Sequence, residues 1–407
     1  MKIVCLKEYL IEPLKQFFPS LEIVNSITED AEIFIAESKD CVKTNLSRMP
    51  RLKFVQTARA GYDAADIEYI RERNLTFCNA KGLYSIPIAE DIVNKILIYT
   101  TNTLKYLQQK NEKIYKPIQN RYCLSSLCIG FLGTSSIASE AAKRLKSFDC
   151  KVIGYKRSKV NKLPYFDELY YGDQLSELLS KSDIVVVTLD LNPSTYHIID
   201  EKSLNSMKKG AAIINIARGE VLDENAIVNA LKSEKLSYAG LDVFENEPLS
   251  FDSELWRLKQ VMITPHASGI CHENHEKLFE LVKKNITNYI NNKELIKIKS
   301  VFRLSGISDI IILKNDNLNT TIKDILYDNL LEDSEEKINS RAIIFNNIES
   351  RKISAVSDNL KRLKVQRPLL ATVTETSINW DLKNLLYNLQ EEAISLNSSK
   401  VSIHKNS

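Results

Sequence analysis

Between residues 1 and 97 the chain alternates short apolar runs with polar stretches: Ile3-Val4-Cys5-Leu6, a helical segment through Pro13–Phe18, then Leu21–Val24, Ile33–Ala36, Leu52–Ala58 and Leu75–Asn79. Strands buried on both faces read as short apolar runs, and their regular alternation with helical segments indicates a doubly wound α/β layer. The rhythm returns from Leu127 onward, and it returns again after Gly306 as Asp309–Leu313 with Thr321–Leu331, Arg341–Asn346 with Arg351–Leu363, and Pro368–Thr374 with Trp380–Ala393, the last helix capped by Asn379. A chain of 407 residues has room for two or three such layers, each with its own core.

Reactive groups stand where these runs end, the position at which an open α/β sheet meets its ligands. The run Leu127–Leu132 leads into Gly133-Thr134-Ser135-Ser136-Ile137-Ala138 and a helix. This is the place of a dinucleotide fingerprint G-x-G-x-x-G, here Gly133-x-Ser135-x-x-Ala138. Alanine in the last place still lets helix and strand pack closely, but a Cβ at Ser135 crowds the amides that approach a pyrophosphate. Either the serine hydroxyl adds a hydrogen bond to the phosphate, beside Ser136 and Ile137 at the helix start, or cofactor affinity drops. The next strand, Lys151–Tyr155, ends at Lys156-Arg157-Ser158, where a carboxylate usually holds the ribose 2′-hydroxyl. Two cations and a hydroxyl suit a 2′-phosphate, which favours NADP over NAD; the other reading is a solvated basic turn.

Three further segments follow: Asn215–Asp223 with Arg218, Asp242–Glu247, and Thr264-Pro265-His266. Hydride transfer to a 2-oxo acid needs a cation on the carboxylate and a proton donor for the developing alkoxide. The guanidinium fork of Arg218 matches a carboxylate, and the imidazole of His266 gives or takes a proton near neutrality. Glu247 is suited to hold the other imidazole nitrogen and to stabilise imidazolium. In order and spacing the segments resemble the N-x-x-R-G-x-x-[LV]-D, D-V-[FY]-x-x-E and T-P-H motifs of the D-isomer-specific 2-hydroxyacid dehydrogenases, of phosphoglycerate dehydrogenase-like type, over roughly residues 1 to 300.

The resemblance implies two doubly wound parallel-sheet domains. One is a flavodoxin-like substrate domain from 1–97 and 271–300, the other a Rossmann NAD(P)-binding domain over 98–270, and a 301–306 linker leads to a small C-terminal α/β domain over 307–407. It implies that the backbone of Ala60, Gly61 and Tyr62 grips the substrate carboxylate, that Leu189, Ala217 and Asp242 lie on the cofactor side, and that the protein is a homodimer. Related formate dehydrogenases carry glutamine where Glu247 stands, so a small 2-oxo or 2-hydroxy acid is the expected substrate. Arg59 is either an anchor for a second anionic group or a surface arginine, and Tyr62 and Tyr84 either line the pocket or pack the loop. The stretch Thr376 to Leu386 resembles a T-x-x-x-W-x-L-x-x-L-L pattern of a small bacterial domain of unknown function.

Composition narrows the partners. Net charge is +3 from 55 basic and 52 acidic residues, without like-charge runs, which excludes a nucleic-acid-binding tail. Seven scattered cysteines read as reduced thiols of a cytoplasmic protein, Met1–Leu6 reads as a first strand, and no apolar run suggests a membrane span. Cys271-His272-x-x-His275 lacks a second ligand pair and reads as a helix start over Lys277–Ile290, not a metal site, and His197 reads as a surface residue. The rival to an enzyme is a dehydrogenase-like sensor that binds nucleotide or metabolite without turnover, supported by Ser135 and the extra domain.

Overall fold

A computed structural model describes residues 1–403 apart from Asn161, Gly306, Ser308, Asp309, Asp328, Asn339, Lys364, Gln366 and Arg367. The chain divides into two units, Met1–Asn285 and Ile286–Ser407.

In the first unit, β1 (Lys2–Cys5), β2 (Glu22–Val24), β3 (Ile33–Ala36), β4 (Phe54–Thr57) and β5 (Thr76–Cys78) form a sheet in the order β2-β1-β3-β4-β5. A second sheet comprises β6 (Cys128–Leu132), β7 (Lys151–Lys156), β8 (Glu168–Tyr171), β9 (Ile184–Val187), β10 (Ala211–Asn215), β11 (Leu236–Leu241) and β12 (Val261–Ile263), ordered β12-β11-β10-β9-β6-β7-β8. Neighbouring strands pair in parallel in both sheets. These are the flavodoxin and Rossmann strand orders, and in the second the direction of winding reverses between β6 and β9.

Side-chain alternation along each strand feeds two cores. Val185, Val187, Ile213 and Leu241 face one side of the second sheet, while Ile184, Val186, Ala212 and Ile214 face the other. The helix Ser85–Thr100 lays Ala89, Ile92 and Ile96 on that other side, against Ala138 and Ala141 of the helix Ser136–Leu145. A hydroxyl bond at 2.9 Å joins Ser85 to Ser136 at the two helix starts. The helix Asn274–Leu304 returns to the first sheet, where Asn285 donates to Gln56 at 2.8 Å and His275 stacks on Tyr9.

That helix is longer than Lys277–Ile290 and remains helical through Leu304, so most of the expected 301–306 linker is helix, and Gly306 lies outside the described residues. In the second unit β13 (Ala342–Phe345) and β14 (Leu369–Thr372) pair in parallel. Ile343 and Phe345 pack on Val356 and Leu360 of the helix Ser350–Arg362, and Ala342 and Ile344 face Leu382, Leu385 and Leu386 of the helix Leu382–Ile403. The expected strand Asp309–Leu313 is irregular from Ile310 to Leu313, Asp309 lying outside the described residues, so the tail shows two strands of the three expected. Asp381, not Asn379, caps the last helix, accepting from the Asn384 amide at 2.7 Å, because Asn379 ends a short 3-10 turn. Among the described residues no helix is long and apolar enough to cross a membrane.

Candidate active site

The functional side chains of the sequence reading stand at the carboxyl ends of strands: the 60–63 loop after β4, Gly133 after β6, Arg218 after β10, Asp242 after β11 and His266 after β12. The structure brings Arg218 and the 60–63 loop together. Asp63 accepts from Arg218 Nε at 3.2 Å and Nη2 at 2.8 Å, and Arg218 Nη1 donates to the Ala217 carbonyl at 2.7 Å. Of the guanidinium's five N–H donors these use three, so one on each terminal nitrogen keeps no partner among the described residues. An open N–H on each terminal nitrogen is what a carboxylate or a keto oxygen could use. Gly61 sits so near that a Cβ there would come within 1.9 Å of Arg218 Nη2. Burial raises the Asp63 carboxyl, but the Arg218 guanidinium overrides it and holds the group below its usual range, with His266 contributing in the same direction.

His266 Nδ1 meets Glu247 Oε2 at 2.8 Å, and the second Glu247 oxygen accepts from the Phe244 amide at 3.2 Å. Nδ1 is the nitrogen turned to the carboxylate, and Nε2 of the half-exposed ring has no partner among the described residues. The residue has φ +51°, a left-handed conformation uncommon outside glycine. The surroundings are a turn built on Asp242: its backbone oxygen accepts the His266 amide at 2.7 Å, and its buried carboxylate accepts the Thr264 hydroxyl at 2.5 Å, the Ala267 amide at 2.9 Å, and both amide and hydroxyl of Ser268. Burial raises this carboxyl too, but those donors outweigh it, the Ser268 and Thr264 hydroxyls first, and hold it below the usual range.

Around the dinucleotide position, Gly133 has φ +96° and the helix Ser136–Leu145 starts with Ser135 and Ser136 exposed. The buried Thr134 hydroxyl has no hydrogen-bond partner among the described residues. Open N–H groups at a helix start beside an unpaired hydroxyl fit a pyrophosphate. Lys156 closes β7, with Arg157 and Ser158 exposed beside it. Leu189 and Ala217 follow β9 and β10.

Other expectations resolve locally. Tyr84 packs the loop, its hydroxyl donating to the Ala58 carbonyl at 2.7 Å, and Arg59 donates through Nε to Glu37 at 3.1 Å. Tyr62 borders a cavity of about 590 Å³ with Phe77, Arg71 and Leu281, which takes in none of Arg218, Glu247 or His266. His197 is not a plain surface residue: it has φ +48°, stacks on Tyr196 and lies 3.0 Å from Glu245. Asp63 carried no role in the sequence reading. The one signal for it was an acid two places after Gly61, on a loop already marked for substrate.

Comparisons with known proteins bear on the family and the fold. The family described as D-isomer specific 2-hydroxyacid dehydrogenase, NAD binding domain, matches residues 96–268, and a domain of unknown function (DUF3783) matches 341–395. A glyoxylate reductase of Thermococcus litoralis is 34% identical over 253 residues, covering 60% of this chain and 76% of that protein. One from Thermofilum pendens is 30% identical over 322 residues, covering 74% and 93%. Among solved structures, D-lactate dehydrogenase from Aquifex aeolicus complexed with NAD and lactic acid has a TM-score of 0.61 at 26% identity, covering 72% of this chain and 96% of that one. A D-isomer specific 2-hydroxyacid dehydrogenase from Xanthobacter autotrophicus in complex with NADPH gives 0.61 at 25% identity, covering 69% and 92%. With strand orders, motif order and relatives in accord, the chain belongs to the D-isomer specific 2-hydroxyacid dehydrogenase family, a nicotinamide-dependent oxidoreductase that carries a DUF3783 domain towards its C-terminus.

Proposed function

We propose that the protein reduces a small 2-oxo acid to the D-2-hydroxy acid, with His266 as acid and base. The observation that carries this is the Glu247–His266 contact at 2.8 Å, with the ring's other nitrogen free, in the same set of strand-end loops as an Arg218 fork that still has two unused donors. Arg218 holds the substrate carboxylate and polarises its ketone, aided by the backbone of Ala60, Gly61 and Tyr62. Asp63 keeps the guanidinium turned to present its open edge. Protonated His266 gives its Nε2 proton to the developing alkoxide in reduction and takes it back in oxidation, while Glu247 stabilises the charged ring.

The nicotinamide, when bound, supplies or accepts the hydride. Gly133, Ser135, Ser136 and Ile137 hold its pyrophosphate, Leu189 and Ala217 border the ring side, and Lys156, Arg157 and Ser158 favour a 2′-phosphate and hence NADP. Asp242 acts on this site through the turn it organises, since its carboxylate is already filled by that turn's donors. Glyoxylate is the first substrate to assay, because relatives at 30 to 34% identity are glyoxylate reductases. Oxidation of NADPH and NADH by the full-length protein with glyoxylate, pyruvate and hydroxypyruvate tests the reading. Turnover that disappears in His266→Ala supports it, whereas binding of cofactor and acid without turnover establishes the sensor instead.

A second copy completes the protein. The helix Thr103–Asn111 buries no residue, and beyond it Ile114 and Tyr115 are 47% and 106% exposed. An apolar arm of this kind fits a two-fold interface with another copy of the chain.

A further inference from the structure

The helix Ser85–Thr100 contains a group that the chemistry above leaves unused. Lys95 is fully buried. Stripping an ammonium of water is expensive unless partners replace the water, and this one has two. Asp91 lies one turn earlier on the helix, and the Thr264 hydroxyl accepts at 3.0 Å. Gly240 leaves room for the lysine stem, which a Cβ there would meet at 3.2 Å.

Thr264 has a single hydroxyl proton, and it goes to Asp242 at 2.5 Å. Its oxygen therefore faces a donor, and Lys95 is the donor supplied. From Asp242 the connection continues to the Ala267 and Ser268 amides, at 2.9 and 3.1 Å. Thr264 and Ala267 flank Pro265 and His266, so the buried cation ties the long helix to both ends of the turn whose left-handed residue is His266. An apolar side chain at 95 would leave the hydroxyl oxygen buried without its donor and remove this tie.

We propose that Lys95 is a positioning residue for His266, acting through Thr264 and Asp242. The proposal rests on the acid and base role assigned to His266. Lys95 has no exposed surface, so its loss acts on the placement of the imidazole and spares the Arg218 fork. A misplacement on the ångström scale costs about a hundredfold in rate.

The test uses the full-length protein with glyoxylate and NADPH, comparing Lys95→Met, Thr264→Val, the double variant and His266→Ala. The expected result is a kcat lower by about ten- to a hundredfold in both single variants, with KM for glyoxylate unchanged. The double variant is then no slower than the slower single, as expected for two steps of one connection. Unchanged kcat, kcat and KM moving together, or fully additive losses overturn the proposal. Should Lys95→Met fail to fold, an unchanged kcat in Thr264→Val, which keeps the Lys95–Asp91 pair, still overturns the proposal. If His266→Ala loses turnover while Lys95→Met and Thr264→Val do not, only the role of Lys95 falls. If His266→Ala turns over normally, the acid and base reading falls and takes this proposal with it.

Discussion

Asp63 and Arg218 are 155 residues apart in the chain, yet they form a two-point ion pair at 3.2 and 2.8 Å that joins the loop after β4 to the loop after β10. The pair fixes which edge of the guanidinium is spent and which is offered. Asp63→Asn keeps a hydrogen bond but loses the charge, so the fork is less well fixed. KM for the 2-oxo acid should rise by about tenfold, the effect of roughly 1.4 kcal/mol, with cofactor KM unchanged. Steady-state kinetics checks this; a KM that falls would mean that Asp63 competes with substrate for the arginine.

The loops bearing Arg218 and Glu247 touch through Gly219. A Cβ at that position would lie 1.8 Å from the Phe244 carbonyl carbon, a backbone atom that cannot swing away. Gly219→Ala should therefore destabilise the first unit by about 3 kcal/mol and lower kcat by pushing Arg218 away from Glu247 and His266. Urea unfolding with kinetics on the folded fraction checks it, and a variant of unchanged midpoint would show that the two loops part freely.

At the end of β7 the prediction concerns cofactor choice. Replacing Lys156 and Arg157 with alanine removes the charges suited to a 2′-phosphate. KM for NADPH should rise by about tenfold or more while that for NADH stays constant. A wild-type protein that prefers NADH would refute the assignment before any variant is made.

The exposed arm predicts an oligomer. Ile114→Ser with Tyr115→Ser removes exposed apolar surface, so sedimentation should report a dimer for the wild type and a larger monomer fraction for the variant. A monomeric wild type ends that reading.

How much of this was legible in the string depends on where each residue's partners lie. β9, Ile184–Val187, is buried on both faces and so reads as an unbroken apolar run, as parallel strands do. β8 escaped notice because it is a four-residue edge strand, Glu168–Tyr171, with only Tyr170 buried. Ile310–Leu313 is apolar but has no strand beside it, and an apolar run without a pairing partner is not a strand. Arg218, Glu247 and His266 were readable because each stands in a short motif with its own flanking residues. Asp63 and Lys95 carry no such motif role, and Thr264, though part of the Thr264-Pro265-His266 motif, makes contacts the motif does not reveal, because the partners lie 155, 169 and 22 residues away.

Asp242 gives the pH dependence of the turn. Its carboxyl is held below the usual range, so the stability it contributes is fully present above the unfolded value of about 4 and is lost as pH falls through the depressed folded value. Asp242→Asn cannot accept from all four of the amides and hydroxyls that the carboxylate serves, and should cost about 2 to 3 kcal/mol at neutral pH. In both proteins Trp380→Phe leaves Trp256 as the sole tryptophan, so its fluorescence follows the first unit during urea unfolding. The gap between the two midpoints should be constant from neutral pH down to about 5 and should close only below about 4. A gap that widens as the solution is acidified would mean that the carboxyl is protonated in the folded protein, and the turn would then need another explanation for its hold on His266.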